Sequence, residues 1–183
     1  MNKTFLPLIL ILLVIIGCGK QQDPFLISNK SIGLLTDSTQ VKDLKDIYKN
    51  DSIVFRTEDH EFIGNRNDIE IFDKTGKMLL VLTPNKPKDS TATIETIKII
   101  DPRYKTVKEI NTLSTFGDIK NNLKISSIQN TLRNVVVFVN EIDAFITIDK
   151  KELPAELQFD TSTQIEAIQI PDKAKIKYFM IGW

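Results

Sequence analysis

The sequence repeats itself loosely 75 residues on, and that self-similarity limits the folds open to it. Leu35 stands over Ile110, Val41 over Phe116, Asp43 over Asp118 and Leu44 over Ile119. Ser52 stands over Ser127, Ile53 over Ile128 and Asp68 over Asp143. Further on the shift becomes 71, laying residues 94–99 over 165–170 and Asp101 over Asp172. Apolar positions keep their phase while the change of shift falls in polar loops, which is the pattern of a duplicated chain. The spacing predicts repeats over about 27–101 and 104–172, followed by a closing strand over 174–183.

Within each repeat the local signals run in one order. An extended segment (27–35; 104–113) leads through a Ser/Thr-rich turn into a short helix (40–49; 116–124). Val41, Leu44 and Tyr48, like Phe116, Ile119 and Leu123, fall on one helical stripe. Thr39 and Ser114 are the expected N-caps. Strands follow at 52–57, 69–73, 78–83 and 93–100, with Lys74-Thr75-Gly76-Lys77 as a hairpin turn. In the second repeat they follow at 134–139, 145–148 and 163–170, the run at 134–139 being read as buried on both faces. The fold class expected is α+β: an antiparallel sheet of two duplicated strand–helix–meander units, with two short helices on one face.

The N-terminus carries a different message. Lys3 precedes residues 5–16, twelve positions without a charge. That is too short for a ~30 Å hydrocarbon core and fits the apolar region of a signal peptide. It ends in Ile15-Ile16-Gly17-Cys18, and Cys18 is the one cysteine in the sequence. This resembles the lipobox of bacterial lipoproteins, with Ile15 where that family usually has Leu. The resemblance implies cleavage after residue 17, diacylglycerol on the Cys18 sulfur and acylation of its freed amino group. The chain then divides into a signal peptide (1–17), a lipidated tether (18–24) and one β-rich domain (25–183). Gly19 after the cysteine implies, in a Gram-negative cell, an outer-membrane lipoprotein facing the periplasm. The order of elements also resembles uncharacterised bacterial envelope lipoproteins and, more distantly, the duplicated β-lactamase-inhibitor-like fold.

Charge and chemistry mostly exclude. Lysines and arginines number 24 against 24 aspartates and glutamates, with no like-charge block, which argues against nucleic acid as a partner. His60 is the one histidine and Cys18 the one thiol, which excludes a zinc site; a Ser-His-Asp triad would have to use His60, and no Gly-x-Ser-x-Gly elbow presents a serine, so no catalytic residue, cofactor or metal is expected. Nucleotide-binding glycine motifs are absent from the sequence. Carboxylate pairs (Asp59/Glu61, Asp68/Glu70, Glu141/Asp143) fit strand edges and turns as well as they fit catalysis.

Two basic–aromatic segments remain, one with Arg103 and Tyr104, the other with Lys175 and Tyr178; Trp183 stands at the last position. These five are the expected contacts for an envelope protein or polymer, against the plainer readings of a lysine-protected sheet edge and, for Trp183, core closure. The expectation is a non-enzymatic lipoprotein, held to the membrane by lipid on Cys18, that binds another envelope component in assembly, maintenance or inhibition. The alternative is a periplasmic carrier of a small apolar ligand.

Overall fold

The computed structural model describes residues 22–58, 66–159 and 161–183. The strands form two sheets. The large one is antiparallel throughout and runs, in spatial order, β4 (Ser52–Glu58), β5 (Arg66–Phe72), β6 (Met78–Pro84), β7 (Ile94–Ile99), β12 (Ile176–Gly182), β11 (Ala144–Asp149), β10 (Asn134–Val139), β9 (Ser127–Asn130). The small one runs β3 (Leu35–Thr36), β2 (Ser31–Ile32), β1 (Leu26–Ser28), β8 (Lys105–Thr106), with β1 and β8 parallel. The large sheet is thus two four-stranded meanders, β4–β7 and β9–β12, joined where Phe179 faces Ile99 and Ile181 faces Ile97.

The expected α+β architecture does not form. The molecule is mostly β, and its helices are α1 (Leu44–Ile47), α2 (Phe116–Asn122) and α3 (Ala155–Gln158), beside a few 3-10 turns. Magnitudes give the reason. Seven residues of α2 span ~10 Å, whereas eight strands span ~33 Å, so no helical layer can cover this sheet. The stripes read from the sequence are nonetheless real: Leu44, Tyr48, Phe116, Ile119 and Leu123 are all buried. They plug the core rather than build a layer.

Local chemistry explains the helix starts. Thr39 and Ser114 are not the caps; their hydroxyls accept the amides of Thr36 and Asn111 in the preceding turn. The caps are Gln40 and Thr115. Asp43 and Asp118 reach back to the Gln40 and Thr115 amides, at 3.0 and 2.8 Å, as the acidic partner of a capping box does.

The second meander departs from the sequence register. Residues 165–170 contain no strand; they hold a 3-10 turn at Ala167–Gln169, and Ile168 is exposed. Both edges of β11 are already bonded, to β10 and β12, so no place was open beside it. The counterpart of β7 is β12, which closes the sheet against β7. Backbone bonds confirm the match: Val41 N to Ala92 O and Lys42 N to Ser90 O recur as Phe116 N to Ala174 O and Gly117 N to Asp172 O. Asp172 therefore matches Ser90, not Asp101. Asp68 lies within β5 and Asp143 in a left-handed turn, so they do not correspond either. The run in β10 alternates, with Val135, Val137 and Val139 buried and Val136 and Phe138 half-buried, so it buries one face only.

The chain enters the fold abruptly. Phe25 N bonds the Asp23 carboxylate, the Gln22 side chain bonds Gly33 O, and the Phe25 ring packs edge-on to Tyr104 at 5.1 Å. Gly33 has φ +55°, and a Cβ there would stand 2.2 Å from Pro24 O, so only glycine lets residues 22–26 lie down at this point.

Candidate functional site

The five contacts expected from the sequence do not form one surface. Tyr104 is buried at 2% exposure, with its hydroxyl pushed up to about 12 by burial. The Tyr48 hydroxyl lies beside it, buried without a well-aligned partner, and burial raises it too. Arg103 is committed to its own neighbours. Its guanidinium donates to Asp101 at 3.0 Å and to Asp73 at 2.7 Å, and lies 4.8 Å from the Phe25 ring. Asp101 is fully buried; burial pushes its carboxyl up, but bonds from Arg103 and Lys77 more than offset that and leave it at about 2. Hydrogen bonds from Thr75 and Arg103 likewise hold Asp73 below the usual carboxylate range. This cluster ties the β5–β6 turn, the end of β7 and the entering chain together, and its role is structural.

Lys175 is exposed, and its backbone amide meets the Glu152 carboxylate at 3.3 Å. Tyr178 is partly exposed with Lys98 and Lys177 over its ring, at 4.3 and 5.6 Å. Trp183 packs against the core with its indole N–H buried and unbonded, beside a second hollow of about 440 Å³ edged by Lys30, Asp37, Glu95 and Asp143. Cys18 and His60 lie outside the described residues. Of the carboxylate pairs, Glu70 bonds Arg56, Asp68 accepts the Thr83 hydroxyl and Glu141 pairs with Lys108. Among the described residues, no group of three His, Cys, Asp or Glu side chains could hold a metal ion.

The feature that stands out was not read from the sequence. A surface groove of about 420 Å³ lies between α1, the free edge of the sheet and the β6–β7 connection. Phe55 and Ile69 face each other across β4 and β5, and Ile69 is buried in the core. Phe55 is therefore on the core side of the sheet, yet 50% exposed, because β4 is the edge strand and nothing described lies over it. Val41 and Pro84 complete the apolar floor. The rim is cationic, with Lys42 from the 3-10 turn before α1, Lys45 from α1, and Lys86 and Lys88 from the connection, against Asp89; Arg56 and Asp68 border it too, but strand alternation turns their side chains to the opposite face from Phe55, where Arg56 pairs with Glu70. Both carboxylates are engaged, Asp68 by Thr83 and Asp89 by the amide and hydroxyl of Thr91, which hold Asp89 below its ordinary value. Lys42 and Lys45 make no ion pair among the described residues. The available signals were lysines opposite the Val41/Leu44 stripe and the lysines beside the two prolines of residues 84–88, each of which alone describes any solvated surface.

The second meander shows what the same place looks like filled. By strand register Ile128 stands where Phe55 stands, and it is half-buried against the core; two residues on, the Asn130 side-chain amide donates to Thr163 O at 2.8 Å. Thr163 belongs to the β11–β12 connection, residues 150–175, which buries Leu153, Ile165 and Ile170. The β6–β7 connection is only residues 85–93 and sends no aliphatic side chain over Phe55.

The fold and site together define a mostly-β protein with two antiparallel meanders in one sheet and a cation-rimmed apolar groove at one margin. No family model matches the chain, and no curated protein matches it. Among solved structures it is similar to the uncharacterized protein yfeY from Escherichia coli, with a TM-score of 0.57 and 13% identity over 86% of this chain and 99% of that one. At that identity the likeness is one of fold alone.

Proposed function

We propose that this is a lipid-anchored protein of the bacterial cell envelope that acts by binding rather than by catalysis, and that its groove takes an anionic amphiphile. The anchor rests on the Ile15-Ile16-Gly17-Cys18 sequence. The binding role rests on one observation above the rest: the uncovered core-side Phe55 shares its groove with four lysines, Lys42, Lys45, Lys86 and Lys88. An apolar floor favours an acyl or similar chain, and the rim favours a phosphate or carboxylate head held by lysines at the surface. At about 420 Å³ the groove is within the usual range for small-molecule sites. A carrier that encloses its ligand inside the sheet is less well supported, since the aliphatic side chains of both meanders pack into one core.

Titration of the full chain, as a Cys18→Ser form in solution, with lysophosphatidylglycerol below its micelle concentration tests the reading. Saturable binding is expected, weakened at least tenfold in Lys42→Glu/Lys45→Glu and in Phe55→Asp, and weakened by salt as exposed charges are screened. Absence of saturable binding, or equal affinity in all three proteins, would refute it. A neutral alkyl glycoside bound as tightly as the anionic lipid would remove the role of the rim.

A further inference from the structure

We infer that the end of the first meander where the chain enters is a membrane-docking face for anionic lipid headgroups, with the groove opening away from the bilayer. This rests on the reading of Cys18 as the lipid anchor. Three residues, 19–21, separate Cys18 from Gln22, the first described residue, whose side chain bonds Gly33 O. Whatever path they take, four Cα steps span no more than ~14 Å. The surface around Gln22 and Phe25 is therefore held at the headgroups, and the domain cannot turn freely on its anchor.

Strand register says what else lies at that end. Ser52 pairs with Phe72 and Phe72 with Met78, so the start of β4 and the β5–β6 turn are neighbours. Arg103 links that turn to the end of β7 and to Phe25, and Phe179 of β12 faces Ile99 of β7. The loop ends there carry Lys49, Lys74, Lys173 and Lys175, none in an ion pair among the described residues. The carboxylates facing them are largely committed: Asp73 and Asp101 to Arg103 and Lys77, and Asp172 to Lys120. Asp51, Asp23 and Glu152 remain; the Asp51 pKa is raised, chiefly by desolvation and then by Asp73, Asp23 accepts the Phe25 amide, and Glu152 accepts the Lys175 amide. Beside the point of entry Leu34, next to Gly33, is 42% exposed. Lysines with one projecting aliphatic side chain suit an anionic headgroup layer. The groove sits at the opposite end of the same strands: from the Ser52–Phe72 pair to the Thr57–Asn67 pair is five residues, or ~17 Å of strand.

The test uses the full lipidated chain in vesicles of phosphatidylglycerol and phosphatidylcholine carrying a headgroup nitroxide. With the Cys18 sulfur blocked by lipid, a cysteine at Asn50→Cys or at Asn85→Cys takes a single fluorophore. At least threefold stronger quenching is expected at position 50 than at 85. The difference should shrink when Lys49, Lys74 and Lys173 are changed to Glu, and in vesicles of phosphatidylcholine alone. Equal quenching, or stronger quenching at 85, overturns the orientation. The mass of the N-terminal peptide from the same sample separates the two ideas. An acylated Cys18 with equal quenching sinks the docking face alone, while an unmodified Cys18 sinks the anchor and this inference with it.

Discussion

Gly33→Ala should be the most damaging single-methyl change in the small sheet, and its size can be worked from geometry. The residue sits at φ +55°, a left-handed conformation that costs an alanine roughly 1–2 kcal/mol. The new Cβ would stand 2.2 Å from Pro24 O, about 1 Å closer than a tolerable contact, so residues 23–25 must lift away. Lifting them stretches the 2.8 Å bond from Gly33 N to Leu26 O, worth about 1 kcal/mol, and pulls Phe25 off Tyr104 and Arg103, worth about another. The expected loss is about 3–4 kcal/mol. Gly76→Ala is the control: φ is +82°, but a Cβ there meets nothing within 4 Å, so only the conformational term applies, about 1 kcal/mol.

Urea unfolding of the Cys18→Ser background, followed by far-UV circular dichroism, measures both, provided the slope of the transition stays constant. If Gly33→Ala and Gly76→Ala agree within about 0.5 kcal/mol, residues 22–26 are not clamped on Gly33. The chain would then not be pinned beside the small sheet, and residue 22 would not fix the distance from the domain to its anchor.

Two other changes follow from bonds already described. Asp101→Asn strips the charge from a buried carboxylate held by Arg103 and Lys77 and should cost about 2–3 kcal/mol at neutral pH. Since the folded carboxyl is lowered from 3.8 to about 2, its stabilisation is complete above its unfolded value and is lost as pH falls through about 2. The stability gap between wild type and variant should therefore close across that acid window, and a gap that widened would contradict the assignment. Thr115→Ala removes the hydroxyl that accepts Asp118 N and the partner of the Asp118 carboxylate, for an expected loss of about 1 kcal/mol by the same unfolding measurement.

How much of this was legible depends on whether the signal was local. The β5–β6 turn at Gly76, the strands at β4, β6, β7, β10 and β11, and the buried stripes of α1 and α2 all follow from short-range pattern. Helix content was overread because a stripe of three apolar positions fixes a face and not a length; α1 ends four residues after it begins. The strand expected at 163–170 failed for a different reason. Ile165, Ile168 and Ile170 suit a strand by their β-branched side chains, yet Ile165 and Ile170 are buried while Ile168 is 87% exposed, because the neighbouring strands had already paired. Tyr104 was taken for a contact residue on charged neighbours alone. Those charges, Asp101 and Arg103, neutralise one another above a buried ring.

The groove was beyond any local reading, because it arises from a difference between two connections far apart in sequence. Both meanders leave a core-side margin between a short helix and an edge strand, and the same backbone bonds fix the helix start in each. A margin of that kind exposes apolar surface, which costs roughly 25 cal/mol per Å² unless something covers it. In the second meander, residues 150–175 supply the cover, burying Leu153, Ile165 and Ile170 and bonding to Asn130. In the first, residues 85–93 supply lysines instead, and Phe55 stays half exposed. One sheet thus holds a filled site and an open one. The filling chosen where the chain fills its own groove is aliphatic, which is why the occupant proposed for the open one has an apolar chain; the lysines around it are why that proposal adds a negative charge at the outer end.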